Sequence, residues 1–176
     1  AKYYRSEGEF FITIKNVKNG HLLRDNVQYV AAPDTKEAQR TRVQENDVLI
    51  SITADLGRTA VIDAETAQQG AYINQHLCLV RPILEKVVPI YLSAYLESPA
   101  GQRQFKQKDQ VGVKSGLNFD SIQSLNILLP DFDLQRKYET VIKKVEKQKQ
   151  CVQSSFYEME ITYQSILQKA FSGELF

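Results

Sequence analysis

The chain has 176 residues, long enough for one packed domain and an appendage. Hydrophobic residues make up 43% and charged residues 24%, which excludes a globally disordered chain. Lys plus Arg total 22 and Asp plus Glu 21, so the formal charge of +1 excludes a polybasic tail or an acidic solvating segment. Nucleic-acid binding then depends on where the charge lies rather than on its sum.

Taken in chain order, residues 10–14 (Phe-Phe-Ile-Thr-Ile) are β-branched and aromatic and predict a strand. Asn19-Gly20 marks a turn. Residues 47–53 predict a second strand, which turns at residues 55–58 and resumes over 59–62. A further strand fits residues 76–81 and stops at Pro82. From Pro89 to about Lys106 the pattern is helical, with Ile90, Leu92, Tyr95 and Leu96 on one face. Residues 117–129 predict a short turn or helix and then a strand at 126–129, ending at Pro130. The mixture is α+β rather than alternating βαβ.

From about residue 133 to 171 the sequence reads as one long helix. Asp131 or Asp133 can cap its start, and Gly173 stands where a C-terminal cap belongs. Tyr138, Val145, Val152, Met159 and Ile166 recur every seven positions and predict an apolar stripe that pairs with a partner helix. At 1.5 Å per residue the rod is roughly 57 Å long. It carries seven basic residues against four glutamates over 134–171. The expected division is residues 1–131 for the α+β domain and 132–176 for the helix.

Catalytic motifs are missing. There is neither a phosphate-binding loop of the G-x-x-x-x-G-K-[ST] type nor a G-x-G-x-x-G run, and no cofactor is expected. Cys78 and Cys151 are far apart and outside any C-x-x-C pair, so neither a zinc site nor a disulfide framework is expected, and a reducing compartment is the simplest reading. Asp63-x-Glu65 is a candidate metal pair of the kind a nuclease uses, but lone D-x-E pairs arise often by chance and no Lys follows at the spacing a nuclease core needs; no catalytic and no metal residue is assigned. His76, after Asn74-Gln75, reads as structural or DNA-facing rather than catalytic. No apolar run approaches the ~20 residues of a membrane span.

Four segments have the composition of nucleic-acid contacts: residues 15–20, residues 40–42, residues 53–59 and residues 101–118. Lys and Arg neutralise phosphates, and Arg, Gln and Asn make bidentate contacts to guanine or adenine edges. The candidate DNA-binding residues are Lys15, Asn16, Lys18, Arg58, Lys106, Lys108, Lys114, Ser115 and Asn118. The lysines are expected on phosphates; Arg58, Asn16 and Asn118 are the candidates for base readout.

The junction of domain and helix is more specific. Gly116-Leu117-Asn118-Phe119-Asp120-Ser121-Ile122, then Leu128-Leu129-Pro130, then Leu134-Gln135, and finally residues 167–175 (Leu-Gln-Lys-Ala-Phe-Ser-Gly-Glu-Leu) resemble the specificity subunit of type I restriction-modification systems. Residues 11–17, 46–51, 57–60 and 74–76 resemble its upstream strands and turns, with Asn46 where that family usually has glycine and Asp131 where it often has a second proline. The resemblance implies a target-recognition domain on double-stranded DNA, followed by a spacer helix that pairs antiparallel and docks modification (methyltransferase) subunits, with the restriction subunit reached indirectly. It implies no catalysis in this chain and a prokaryotic cytoplasmic setting. A complete subunit carries two readers and two helices, so this chain is expected to be one half, completed by a homodimer partner or by the second half of the same subunit. The alternative from the residues alone is a protein–protein adaptor with a coiled-coil dimerisation helix.

Overall fold

The computed structural model describes residues 3–109 and 116–174. It divides into two compact units, Ala1–Gln135 and Arg136–Phe176.

The first unit is α+β. Strands β1 (Tyr4–Arg5), β2 (Glu9–Ile12) and β5 (Gln28–Val30) join β8 (Ala71–Ile73) in a sheet of order β1-β5-β2-β8, in which β2 and β8 run parallel. Strands β3 (Val17–Lys18) and β4 (His21–Leu22) form a short hairpin. Strands β6 (Val48–Ser51), β7 (Thr59–Val61) and β9 (Leu77–Val80) form an antiparallel sheet of order β7-β6-β9. Helices α1 (Lys36–Thr41), α2 (Ala64–Gln69), α3 (Pro89–Glu97), α4 (Pro99–Lys108) and α5 (Phe119–Gln123) complete the unit.

All four residues of β6 are buried, because the strand is covered on both faces. Leu49 packs with Phe10, Ile12, Ala60, Ile62 and Ile73 on one side, and Val48 and Ile50 pack with Leu92, Leu96 and Phe105 on the other. The lead-in to β6 is tightly specified. Asn46 has φ +70°, a conformation that glycine takes freely and asparagine tolerates better than most residues, which explains why asparagine substitutes here for the expected glycine. Asp47 is fully buried and binds the Arg81 guanidinium at 2.8 and 2.9 Å and the Gln44 backbone N–H at 2.6 Å.

Three predicted elements differ. The strand expected over 10–14 ends at Ile12, because Thr13 caps a 3-10 turn over Ile14–Asn16. The helix expected from Pro89 to Lys106 is two helices. Ser98 is extended ahead of Pro99, and its hydroxyl accepts a bond from the Gly101 N–H, starting α4 afresh. Gly101 is required there: a Cβ would stand 2.3 Å from the Leu96 carbonyl oxygen. The strand expected at 126–129 has no ladder partner. Its polar groups are met by side chains instead: Tyr95 and Gln104 bond to the Asn126 carbonyl, Gln104 accepts from the Asn126 N–H, and Tyr91 bonds to the Leu128 carbonyl.

Helix α6 (Phe132–Ser172) has 41 residues, about 62 Å at 1.5 Å per residue. Its first turn belongs to the first unit and is fixed by Gln135, which is 1% exposed. The Gln135 Oε1 accepts from the Val88 N–H at 3.0 Å, and Nε2 donates to the carbonyls of Lys86 at 3.2 Å and Pro130 at 2.9 Å. At the other end Gly173 has φ +77°, its N–H bonds to the Ala170 carbonyl and the Glu174 N–H bonds to the Lys169 carbonyl, the reciprocal pattern of a glycine helix stop. In the second unit, Val152, Met159 and Ile166 are 67%, 62% and 49% exposed, Val145 is exposed and Tyr138 is half-buried. Among the described residues, no helix is long and apolar enough to cross a membrane.

Candidate nucleic-acid interface

The strand register brings several loops to one edge of the β7-β6-β9 sheet. Ser51 ends β6, Thr59 opens β7 and Leu77 opens β9; Ser51 faces Leu77, and Ile50 faces Thr59. The connections 52–58 and 74–76 therefore emerge together. The hairpin tip joins them, because the Gly20 N–H bonds to the Thr59 carbonyl and the Gly20 carbonyl accepts from the Val61 N–H. Glu97 of α3 locks this junction: its Oε1 accepts from the backbone N–H groups of Thr59 at 2.7 Å and Gly20 at 3.2 Å, and from the Thr59 hydroxyl at 3.0 Å. Residues 116–118 run beside the same edge, with the Leu117 N–H on the Ile52 carbonyl and a bridge from Gly116 to Thr53.

Within the 52–58 turn, the Ser51 hydroxyl donates to the Asp55 carbonyl and accepts from the Arg58 N–H. Gly57 has φ +75° and lies against α4; a Cβ would stand 2.3 Å from the Phe105 ring. Gln102 of α4 also donates to the Gly57 carbonyl at 3.0 Å. This contact docks the helix that carries Lys106 and Lys108 against the turn that carries Arg58.

Of the predicted residues, Lys18 is exposed beside Asn19. The Arg58 Nη1 donates to the Asn19 Oδ1 at 3.4 Å, and its Nε pairs with the Asp55 carboxylate at 2.8 Å. That ion pair is exposed, so it aims the guanidinium at little cost to its release. Lys15 is exposed on the 3-10 turn that follows β2. Lys106 is exposed on α4, whereas Lys108 turns toward α5 and donates to the Ser124 hydroxyl at 2.8 Å. Asn118 is exposed, but its Oδ1 caps α5 by accepting from the Ser121 N–H at 2.8 Å. Lys114 and Ser115 lie outside the described residues.

Asn16 is a correction. Its side chain is not available for base readout, because the residue is 3% exposed and its amide is committed. Its Oδ1 accepts from the Thr13 N–H and hydroxyl, and its Nδ2 donates to the carbonyls of Leu23 at 3.1 Å and Asp25 at 3.4 Å. The polarity of asparagine marked it as a contact, but a buried backbone turn needs the same donor and acceptor.

The two acids considered as a metal pair are held by a cation. The Arg24 guanidinium bonds to Asp63 at 2.9 Å and to Glu65 at 2.7 Å. Burial pushes the Asp63 carboxyl up, but hydrogen bonds from Thr66 and the nearby Arg24 charge outweigh it and hold the group below the usual carboxylate range. Asp63 also caps α2 through the Thr66 N–H at 2.7 Å. Among the described residues, no group of three or more His, Cys, Asp or Glu side chains is placed to hold a metal ion.

Gln75 is not among the candidate residues, and Thr53 enters only as the first residue of the 53–59 segment. Gln75 is exposed at the tip of the β8–β9 turn, and the His76 Nδ1 lies 3.0 Å from the Thr53 hydroxyl, tying the two loops together. The available signal was the amide-rich Asn74-Gln75-His76 run between two strands.

Residues 4–154 match the family model of the type I restriction modification DNA specificity domain. The chain belongs to that family. Over 173 residues it is 22% identical to the type I restriction enzyme EcoBI specificity subunit of Escherichia coli, covering 96% of this chain and 36% of that protein. The HsdS subunit from Thermoanaerobacter tengcongensis superposes with a TM-score of 0.59 at 17% identity, covering 95% of this chain and 45% of that one. A chain solved in a study of complex assembly and conformational transition of the type I R-M system gives 0.62 at 21% identity, covering 99% and 42%. The chain thus spans less than half the length of these relatives. It contains one α+β unit and one long helix. Gln135, one of the residues that carry the resemblance, is the buried clamp at the start of α6.

Proposed function

We propose that this chain is the DNA-reading half of a type I specificity subunit, binding duplex DNA through the edge formed by the 52–58 turn, the β3–β4 hairpin tip and α4. What supports this reading is that the turn bearing Arg58 meets the hairpin tip beside Lys18, and that Gln102 docks the helix bearing Lys106 against the same turn, in a chain of the DNA specificity family. Lys15, Lys18 and Lys106 contact phosphates, and Arg58 reaches either a phosphate or a guanine edge. Lys108, Lys114, Ser115 and Asn118 remain members of the proposed surface.

The division of labour is the one that the resemblance to specificity subunits implies. The chain selects the site and performs no bond-making step; methyl transfer belongs to modification subunits docked on the long helix, and the restriction subunit is reached through them. Helix α6 pairs antiparallel with the helix of a second copy, or of the other half of the same subunit, through Tyr138, Val145, Val152, Met159 and Ile166. A rod of about 62 Å separates two readers by more than one DNA turn of about 34 Å, so the paired protein reads a bipartite site. A setting in the prokaryotic cytoplasm, where the DNA is, fits this role.

Arg58→Ala is expected to weaken DNA binding and, if the guanidinium lies on a phosphate, to reduce the slope of log affinity against log salt by about 0.9. Lys18→Ala should do the same. Affinities measured across a salt series check both, and unchanged slopes for the two variants would remove this edge as the phosphate-binding surface.

A further inference from the structure

We propose that Gln75 is a base-reading residue that selects an adenine in the major groove, and that the Thr53–His76 pair positions it. This rests on the DNA-reading function proposed above and adds a residue and a base to it.

The β8–β9 turn is fixed at every other position. The Asn74 N–H bonds to the Ile12 carbonyl at 3.1 Å, the His76 N–H to the Asn74 Oδ1 at 3.1 Å, and the Leu77 N–H to the Asn74 carbonyl at 3.2 Å. From the neighbouring strand, the Ile52 N–H bonds to the His76 carbonyl at 3.0 Å. The His76 ring meets the Thr53 hydroxyl, and Thr53 is bridged in turn to Gly116. Asn74 and His76 are half-buried, while Gln75 between them is exposed. A rigid turn thus presents one amide.

Its surroundings suit a duplex. Exposed Arg40 lines the same open cleft of about 870 Å³ as Gln75, and Arg58 closes the neighbouring turn on the other side of Thr53. Gln75 therefore shares a cleft with one guanidinium-bearing segment and stands on a turn that adjoins a second, so phosphate contacts from these segments bring a base edge to it. A carboxamide offers one donor and one acceptor side by side, which matches adenine N7 and N6–H2. A turn held by five hydrogen bonds spends little conformational freedom in presenting that amide.

The test is selection of bound duplexes from a randomised pool by the chain with modification subunits, comparing wild type with Gln75→Ala, Thr53→Val and Thr53→Ser. The wild type should yield a motif. Gln75→Ala should lose preference for adenine at one half-site position by about tenfold or more, with the other positions and the melting temperature unchanged. Thr53→Val should relax the same position more weakly, and Thr53→Ser should restore it. A wild-type motif left intact by Gln75→Ala, or weakened equally at every position, overturns the inference while leaving DNA reading in place. A wild type that yields no motif overturns both.

Discussion

The double variant Val145→Glu with Val152→Glu is expected to convert the paired protein to a monomer in sedimentation. Both side chains are exposed on the single chain and lie seven residues apart, in line with Met159 and Ile166. A stripe of that period along 41 helical residues is stable in water when a second helix covers it. Burying one valine side chain contributes roughly 1.5–3 kcal/mol, and a two-fold pairing loses both valines in both copies. Each substitution also asks a carboxylate to leave water without a partner. The helix itself should survive, because position 145 lies four residues ahead of Lys149, a favourable acid–base spacing, as Glu139 and Lys143 already show at 2.8 Å. Loss of the dimer with the helical circular-dichroism signal retained is the expected result. A dimer that persists would mean that the stripe is not the pairing surface.

Gln135→Ala is expected to destabilise the first unit by about 3 kcal/mol, lowering its melting temperature by roughly 6–12 °C. The side chain is fully enclosed and meets three backbone groups, and its loss leaves the Val88 N–H and the carbonyls of Lys86 and Pro130 without it. The Val88 N–H is the costly one, because Val88 is also the residue from which α3 starts. Gln135→Glu should not rescue at neutral pH. It keeps the acceptor for Val88 but turns a carboxylate oxygen toward two carbonyls, which raises its folded-state pKa. The stability it loses should therefore return as pH falls and the carboxyl binds a proton. Thermal melts of the three proteins across pH check the ordering; a Gln135→Ala variant that melts with the wild type would show that the glutamine does not clamp the helix start.

The long helix and the strands with strong patterns were legible, because their information is local. Gly173 marks the end of α6 by its residue type alone, and the helix stops there. Strands β6, β7 and β9 sit inside their predicted spans since each is a run of apolar or β-branched residues. Strands β1, β5 and β8 are two or three residues long and, unlike β7, do not resume a recognisable strand across a turn; their pairing partners lie far off in sequence. The break at Pro99 was visible as a proline, and the apolar face of Ile90, Leu92, Tyr95 and Leu96 ends before it.

The candidate site was legible by charge and not by hydrogen bonding. Lys18 and Arg58 emerged because cations in turns are solvated by default. Asn16 and Gln75 are chemically alike in sequence and opposite in structure: one satisfies a buried turn, the other stands outside it. Only the tertiary accounting of backbone donors and acceptors separates them.

Selection of bound duplexes from a randomised DNA pool at about physiological salt, where binding to phosphates alone is suppressed, tests the DNA-reading function most directly. The chain is assayed alone and with modification subunits. Enrichment of a bipartite motif, two short half-sites at fixed spacing, in at least one arm is the predicted result. No enrichment in either arm would contradict sequence recognition and leave the exposed helix stripe as the mark of a protein–protein adaptor.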